Sequence, residues 1–469
     1  MIPPLMDRKT RDKIHNLFGH HISKGQVRYL RCGNLETLEC NRKGVRFMDA
    51  SSGKMFYDAF TSAGCFNVGR MNESIIRALD EATYKYDMGS VGFSSIPKIE
   101  LTKLLANLAP GNLNNVILCA SGGDACACAM KLARAATGRN QIITMIKAYH
   151  GHEGFSLSGN GKDYYKHLFV PLMPGFKLAP FNDLQAVKNI ASKETAAIII
   201  EPVQGEAGIY VSTPDFINGL RELCDNLGIL LIFDEVQTGI GRTGKLWASE
   251  HFGVLPDIMF IAKSLSGGLY PNAAVIFRED GLPAKYVAKN PFFHRSFSGG
   301  SDLGCIVSIR VLDFVFNNRL WENSADMGKY FKDGLIKLWH ENPRIIKEVR
   351  GLGLMIGIEY QYEFVGALMS ECLSRQGIWA IFSGNAPQVM RFQVPLTVTR
   401  KEIDDILDKI RLAVKNLRKY LLVLLPLSHI KFIRRMLDNV HIQIITFNLM
   451  RDIEEFFTET LNLKKVKTY

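Results

Sequence analysis

The chain has 469 residues and a mass of 52.6 kDa, long enough for more than one domain. At 47% hydrophobic and 22% charged residues its composition is ordinary for a globular protein, which excludes a wholly disordered or collagen-like chain. Its net charge of +11, from 57 Lys and Arg against 46 Asp and Glu, is a modest bias at this length and fits an anionic small molecule as well as nucleic acid.

The nine cysteines are an odd count and scattered. No Cys-x-x-Cys pair occurs, and Cys126 and Cys128 are two apart, the wrong spacing for a zinc knuckle, so no metal site is expected. A reduced, cytoplasmic compartment is the simplest reading. The N-terminus lacks a signal-peptide apolar stretch. The apolar run 421–425 is far short of the roughly 20 residues a membrane-spanning helix needs, so no transmembrane segment is expected.

Short apolar runs alternate with helical patterns from about residue 60 to 305. The run 116–120 enters Ser121-Gly122-Gly123, and a helical stretch over 125–136 stops near Gly138. A second run, 142–146, leads to Tyr149-His150-Gly151. Runs 196–200, 229–233 and 258–262 end at Glu201, Asp234 and Lys263 respectively. Continuous apolar runs of this length fit strands buried on both faces, and their alternation with helices predicts an α/β domain with a mostly parallel central sheet. Functional groups in such sheets gather past the C-terminal strand ends, where Ser121, Tyr149, Glu201, Asp234 and Lys263 all fall. A helix over 302–316 then leads into a smaller α+β domain with a strand at 352–360. The expected organisation is 1–60 as an N-terminal segment contributing to the small domain, 61–305 as the large domain, 306–417 as the C-terminal small domain, and 418–469 as a helical basic extension. That extension carries nine Lys and Arg against five Asp and Glu, and is amphipathic around Ile430, Phe432, Ile433 and Met436. An extra helical tail packed on the body, or a membrane-surface or partner helix, both fit that pattern.

Three motifs carry little. Residues 239–245 match G-x-x-x-x-G-K, but Leu246 stands where a nucleotide-binding loop needs Ser or Thr for Mg²⁺. Gly351-Leu352-Gly353 lacks the third glycine of a dinucleotide fingerprint. His150 and His152 lack the spacing and acidic neighbours of a defined metal site and read as ordinary loop histidines.

Two motifs carry more. Ser121-Gly122-Gly123-Asp124 lies at a strand-to-helix junction, where backbone N–H groups and the positive dipole end receive an anion. Lys263 closes an apolar strand, a setting in which a desolvated amine can form a Schiff base with an aldehyde. Asp234, at another strand end, can hold a pyridinium nitrogen. Lysine, aspartate and a phosphate-binding helix end together are a protein's share of a pyridoxal phosphate site. Two unrelated structural charges give the same residues.

Further markers are Phe66-Asn67-Val68-Gly69, Glu201-Pro202-Val203-Gln204-Gly205-Glu206, Asp234-Glu235-Val236-Gln237-Thr238-Gly239, Gly241-Arg242-Thr243-Gly244 and Arg391-Phe392-Gln393-Val394-Pro395-Leu396. With these the chain resembles, from about Gly33 to Leu417, the class III aminotransferases of pyridoxal-phosphate fold type I, in the putrescine, ornithine and acetylornithine branch. The resemblance implies that Lys263 holds the cofactor as a Schiff base and moves the substrate proton, and that Asp234 pairs with the pyridine nitrogen. It implies that Gln237 reaches the ring oxygen, that Tyr149 stacks on the ring, and that Ser121, Gly122 and Gly123 bind the phosphate. On the substrate side it implies Glu206, Arg391 and Glu201, with Arg391 gripping a carboxylate and Glu206 covering it when a terminal amine reacts. It also implies a homodimer and no nucleic acid partner. The family's partner-phosphate threonine falls on Phe297 in His294-Arg295-Ser296-Phe297-Ser298-Gly299-Gly300, so Ser296 or Ser298 substitutes or the contact is missing. Asp124 and Asp302 also depart from the family's usual Glu and Pro. The function implied is transfer of an amino group from an amine or terminal-amine amino acid to a 2-oxo acid such as 2-oxoglutarate. The alternatives are a racemase or aminomutase on the same fold, and a non-catalytic protein that keeps the cofactor fold for binding.

Overall fold

The computed structural model describes residues 6–32, 35–90, 92–428 and 430. Residues 431–436 of the amphipathic pattern, and all of the basic extension except 418–428 and 430, lie outside the described residues.

Seven strands form the central sheet. In chain order they are β1 (Asn115–Cys119), β2 (Gln141–Met145), β3 (Phe176–Ala179), β4 (Thr195–Ile200), β5 (Leu230–Asp234), β6 (Ile258–Ile261) and β7 (Ala273–Phe277). Their order across the sheet is β1-β7-β6-β5-β4-β2-β3. The pairs from β6 to β3 are parallel, while β7 runs antiparallel to both β6 and β1. Every residue of β2, β4, β5, β6 and β7 is buried, which is why these strands read as unbroken apolar runs. The run that forms β7 has the same composition as its parallel neighbours, so apolar periodicity does not reveal its reversed direction.

Helices cover both faces. Helix α1 (Gly122–Thr137) starts at Ser121, whose Oγ accepts the Asp124 N–H at 3.1 Å, and ends at Gly138 in the left-handed region with φ 68°. It buries Cys126, Ala129, Met130 and Ala133 against one face of the sheet. On the other face α2 (Pro214–Leu227) packs Phe216, Ile217 and Leu220, with Pro214 in its first turn and Gly228 past its end.

Helices α3 (Asp302–Asn317) and α4 (Leu320–Glu341) lead out of the sheet domain. Beyond them two small sheets form. Strands Glu39–Lys43, Arg46–Asp49 and Met55–Asp58 are antiparallel, and Ile378–Trp379 adds in parallel to Met55–Asp58. Strands Ile346–Leu352, Met355–Tyr360 and Val389–Phe392 make an antiparallel three-stranded sheet. The single strand expected over 352–360 is therefore the second half of a hairpin. Gly351 and Gly353, at φ 134° and 52°, turn the chain there. Helices α5 (Val365–Arg375) and α6 (Arg400–Ser428) pack together over these sheets. No helix among the described residues is long and apolar enough to cross a membrane.

Candidate active site

One cavity of about 520 Å³ opens at the C-terminal ends of the parallel strands. Its wall includes Ser121, Gly122 and Gly123 past β1, Tyr149 past β2, Glu201 and Glu206 past β4, Asp234 and Gln237 from β5, and Lys263 past β6. Parallel strands must deliver all their C-terminal ends to one edge, so residues up to 142 positions apart meet there.

Each group is positioned by identifiable bonds. Asp234, 5% exposed, accepts from the Val236 N–H at 3.0 Å through Oδ1, and its Oδ2 lies 2.8 Å from His150 Nδ1. Glu201 accepts the N–H groups of Tyr149 and Gly205 at 3.1 and 2.9 Å, so both its oxygens hold the loops that carry Tyr149 and Glu206. Burial, reinforced by the nearby Asp234 charge, pushes the Glu201 carboxyl up to about 7. Gln237 donates to the Ala63 carbonyl at 3.0 Å. Its side chain lies over Gly205, where a Cβ would come 1.5 Å from Gln237 Oε1.

The backbone around the cavity is strained. Lys263 has φ 44°, and Thr61, Ser62 and Ala63 follow one another at 52°, 51° and 57°. Non-glycine residues in this region cost about 1–3 kcal/mol each. The second segment is held because Thr61 donates its N–H to Asp58 at 2.6 Å and its hydroxyl to the Gln393 carbonyl at 2.8 Å.

Arg391 lies on the Val389–Phe392 strand, 3% exposed, and its Nη1 pairs with Glu206 Oε1. Glu206 Oε2 accepts the Gly384 N–H at 3.1 Å. Burial works against ionisation of Glu206, yet the charge of Arg391, with Lys263 behind it, leaves the carboxyl below its usual value. Arg391 thus reaches the cavity through a partner that lines it.

Ser296 and Ser298 are not among the residues lining this cavity. Ser296 lines a separate hollow with His294, Gly299 and Gly300 beside β1. Gly299 packs so tightly on this edge that a Cβ would lie 2.7 Å from the Cys119 carbonyl carbon.

Several neighbours were given no role in the site from the sequence. His150 is no ordinary loop histidine: it is 4% exposed and fixes Asp234, while His152 is exposed. Its position past β2, next to Tyr149, is the signal that could have found it. Glu153 accepts the Ser121 hydroxyl at 3.0 Å, and Tyr165 packs edge-on against Tyr149 with centroids 5.6 Å apart. Glu153 caps the short helix Gly154–Gly159 and Tyr165 ends the 3-10 turn Asp163–Tyr165, both too short for a periodic signal.

The cavity wall suits pyridoxal phosphate. The first-turn N–H groups of a helix, here those of Gly122 and Gly123, have no intrahelical partner and suit a phosphate. A buried carboxylate held by an imidazole suits a pyridinium, and Lys263 supplies an amine on the same cavity.

Residues 34–414 match the model of the class-III aminotransferase family. The chain is 38% identical over 403 residues to an uncharacterized aminotransferase of Archaeoglobus fulgidus, covering 86% of this chain and 94% of the relative. It is 32% identical over 418 residues to a putrescine aminotransferase of Pectobacterium atrosepticum, covering 86% and 89%. The ornithine aminotransferase of Toxoplasma gondii, whose crystal structure has partial occupancy of pyridoxal phosphate at the active site, superposes with a TM-score of 0.77 at 27% identity, covering 82% of this chain and 91% of that one. The chain belongs to the class-III aminotransferases. Its large mixed sheet with smaller flanking sheets is the fold type I architecture, and it is an aminotransferase-like enzyme.

Proposed function

We propose that this enzyme moves an amino group from a terminal amine to a 2-oxo acid such as 2-oxoglutarate, using pyridoxal phosphate. The observation that carries this reading is the Glu206–Arg391 pair beside Lys263. When bound, the cofactor stores the amino group between the two half-reactions and withdraws electrons from the carbon that loses a proton. Lys263 would take that proton as a free amine and give it back within the same pocket. Asp234, oriented by His150, keeps the ring nitrogen charged. Ser121 and the first turn of α1 hold the phosphate, and Tyr149 covers the ring.

Arg391 suits the carboxylate of a 2-oxo acid, which it can grip through two parallel N–H bonds. A terminal amine brings no carboxylate to that point and would leave the buried guanidinium unpaired. Glu206 neutralises it in the donor half-reaction and swings away for the acceptor. Breaking a buried pair costs on the order of 3–5 kcal/mol, so the exchange of partners matters to rate.

Single-turnover kinetics test the reading. Glu206→Ala should slow the half-reaction with a diamine relative to that with glutamate, by about tenfold or more. An unchanged ratio would make the pair a structural ion pair and remove the basis for a terminal-amine donor.

We also propose that the enzyme is a homodimer in which Ser296 or Ser298 of one protomer reaches the other's phosphate. Phe93, Phe292 and Phe297, 73%, 62% and 82% exposed, surround that stretch and are expected to be covered by the partner. A cytoplasmic site of action fits the free thiols of the described cysteines.

A further inference from the structure

Away from the cavity wall, the described residues contain one group of three metal-ligand side chains: Cys119, Cys128 and His294, whose ligand atoms all lie within 4.8 Å of one another. Cys119 ends β1, Cys128 lies in the second turn of α1, and His294 belongs to the irregular chain before α3. Cys119 Sγ is 3.9 Å from His294 Nε2. The Cys128 thiol lies within 4.8 Å of that of Cys119. Asp124, whose Oδ1 lies 3.0 Å from the same Nε2, stands outside that group of three and would have to turn toward the thiols to supply a fourth donor. Both thiols are fully buried, and the His294 side chain is 5% exposed.

We propose that Cys119, Cys128, His294 and Asp124 form a structural zinc site. Two sulfurs, one imidazole nitrogen and one carboxylate oxygen are a four-donor set, and bonds of about 2.0–2.3 Å place neighbouring donors of a tetrahedral zinc about 3.3–3.8 Å apart. The Cys119–His294 spacing lies within about 0.1 Å of that range and the Asp124–His294 spacing within about 0.3 Å of it. Thiolate ligands select zinc over magnesium or calcium. The imidazole Nδ1 is buried and has no hydrogen-bond partner among the described residues. The ring is therefore held only through Nε2, by Asp124 and Cys119, the groups that share the ion. Binding releases to solvent the two thiol protons and the Nε2 proton that faces Asp124, and with Asp124 as fourth ligand leaves no open coordination position, so the ion takes no part in turnover.

Sequence spacing does not disclose this site, because its ligands come from a strand end, a helix and a distant loop. The ion would clamp these three together on either side of the Ala120–Gly123 turn, and would do so whatever the enzyme's substrate. The alternative is a pair of thiols packed as small apolar groups beside a histidine–aspartate ion pair.

The full-length holoenzyme, purified without chelator or histidine tag, is equilibrated with equimolar ZnCl₂, gel-filtered and analysed by atomic emission. About one zinc per chain is expected, with a raised melting temperature on loading. Cys128→Ser and His294→Gln should each fall to background, while Cys224→Ser, buried elsewhere, keeps the wild-type content. Cadmium titration of the unaltered chain should give thiolate-to-metal ultraviolet absorbance, a readout that needs no variant. Zinc below about a tenth per chain, full zinc in either cluster variant, or no thiolate absorbance with cadmium overturns the proposal.

Discussion

Ser121 uses its hydroxyl twice, accepting the Asp124 N–H to start α1 and donating to Glu153. The second bond puts an exposed carboxylate beside the turn proposed to receive a phosphate; a Cβ on Gly123 would lie 3.2 Å from Glu153 Oε1. Phosphate and carboxylate compete for one donor and repel each other. Glu153→Gln should therefore tighten pyridoxal phosphate binding, by up to about fivefold because exposed charges interact by no more than about 1 kcal/mol. Equilibrium titration of the cofactor-free chain measures it, and a weaker or equal affinity would show that Glu153 does not oppose the phosphate. At this scale the sequence was legible where chemistry and strand position coincide, as at Lys263 and Asp234. It was silent on the second role of Ser121 and on the histidine that orients Asp234, because both depend on chain folded back from elsewhere.

The strand ends explain why so much of the candidate site could be located without coordinates. A buried parallel strand is a short apolar run, and the first polar residue after it stands at the cavity edge, as Glu201 follows β4. The three-stranded sheet obeys a different rule. Its hairpin, Ile346–Leu352 with Met355–Tyr360, turns through a glycine pair, and the charged residues Lys347, Glu348 and Arg350 hid the first strand from a search for apolar runs. That hairpin matters to the site because its second strand pairs Gly357 with Arg391. At Gly351 a Cβ would come 2.1 Å from the Met355 carbonyl oxygen, and φ is 134°. Gly351→Ala should therefore destabilise the fold by about 1–3 kcal/mol, lowering the melting temperature, and raise KM for the 2-oxo acid more than KM for the amine. Equal effects on both KM values would disconnect the hairpin from the placement of Arg391.

At the scale of the whole molecule, the cavity is built by one chain, whereas Ser296, Ser298 and the exposed phenylalanines Phe93, Phe292 and Phe297 do not line it. The proposed second copy would resolve this, since closed twofold assemblies bury the same patch on both subunits. Light scattering of the active enzyme should give twice the chain mass, and an active monomer would contradict the dimer. The account as a whole rests on Lys263 as the one group that can both bond the cofactor and carry the substrate's proton. Its most direct test is glutamate formed from 2-oxoglutarate and a terminal amine by the wild-type enzyme and by Lys263→Ala, each confirmed folded by circular dichroism. The account predicts stoichiometric glutamate from the wild type and a loss on the order of 1000-fold in the variant. Wild-type rates in Lys263→Ala would contradict it.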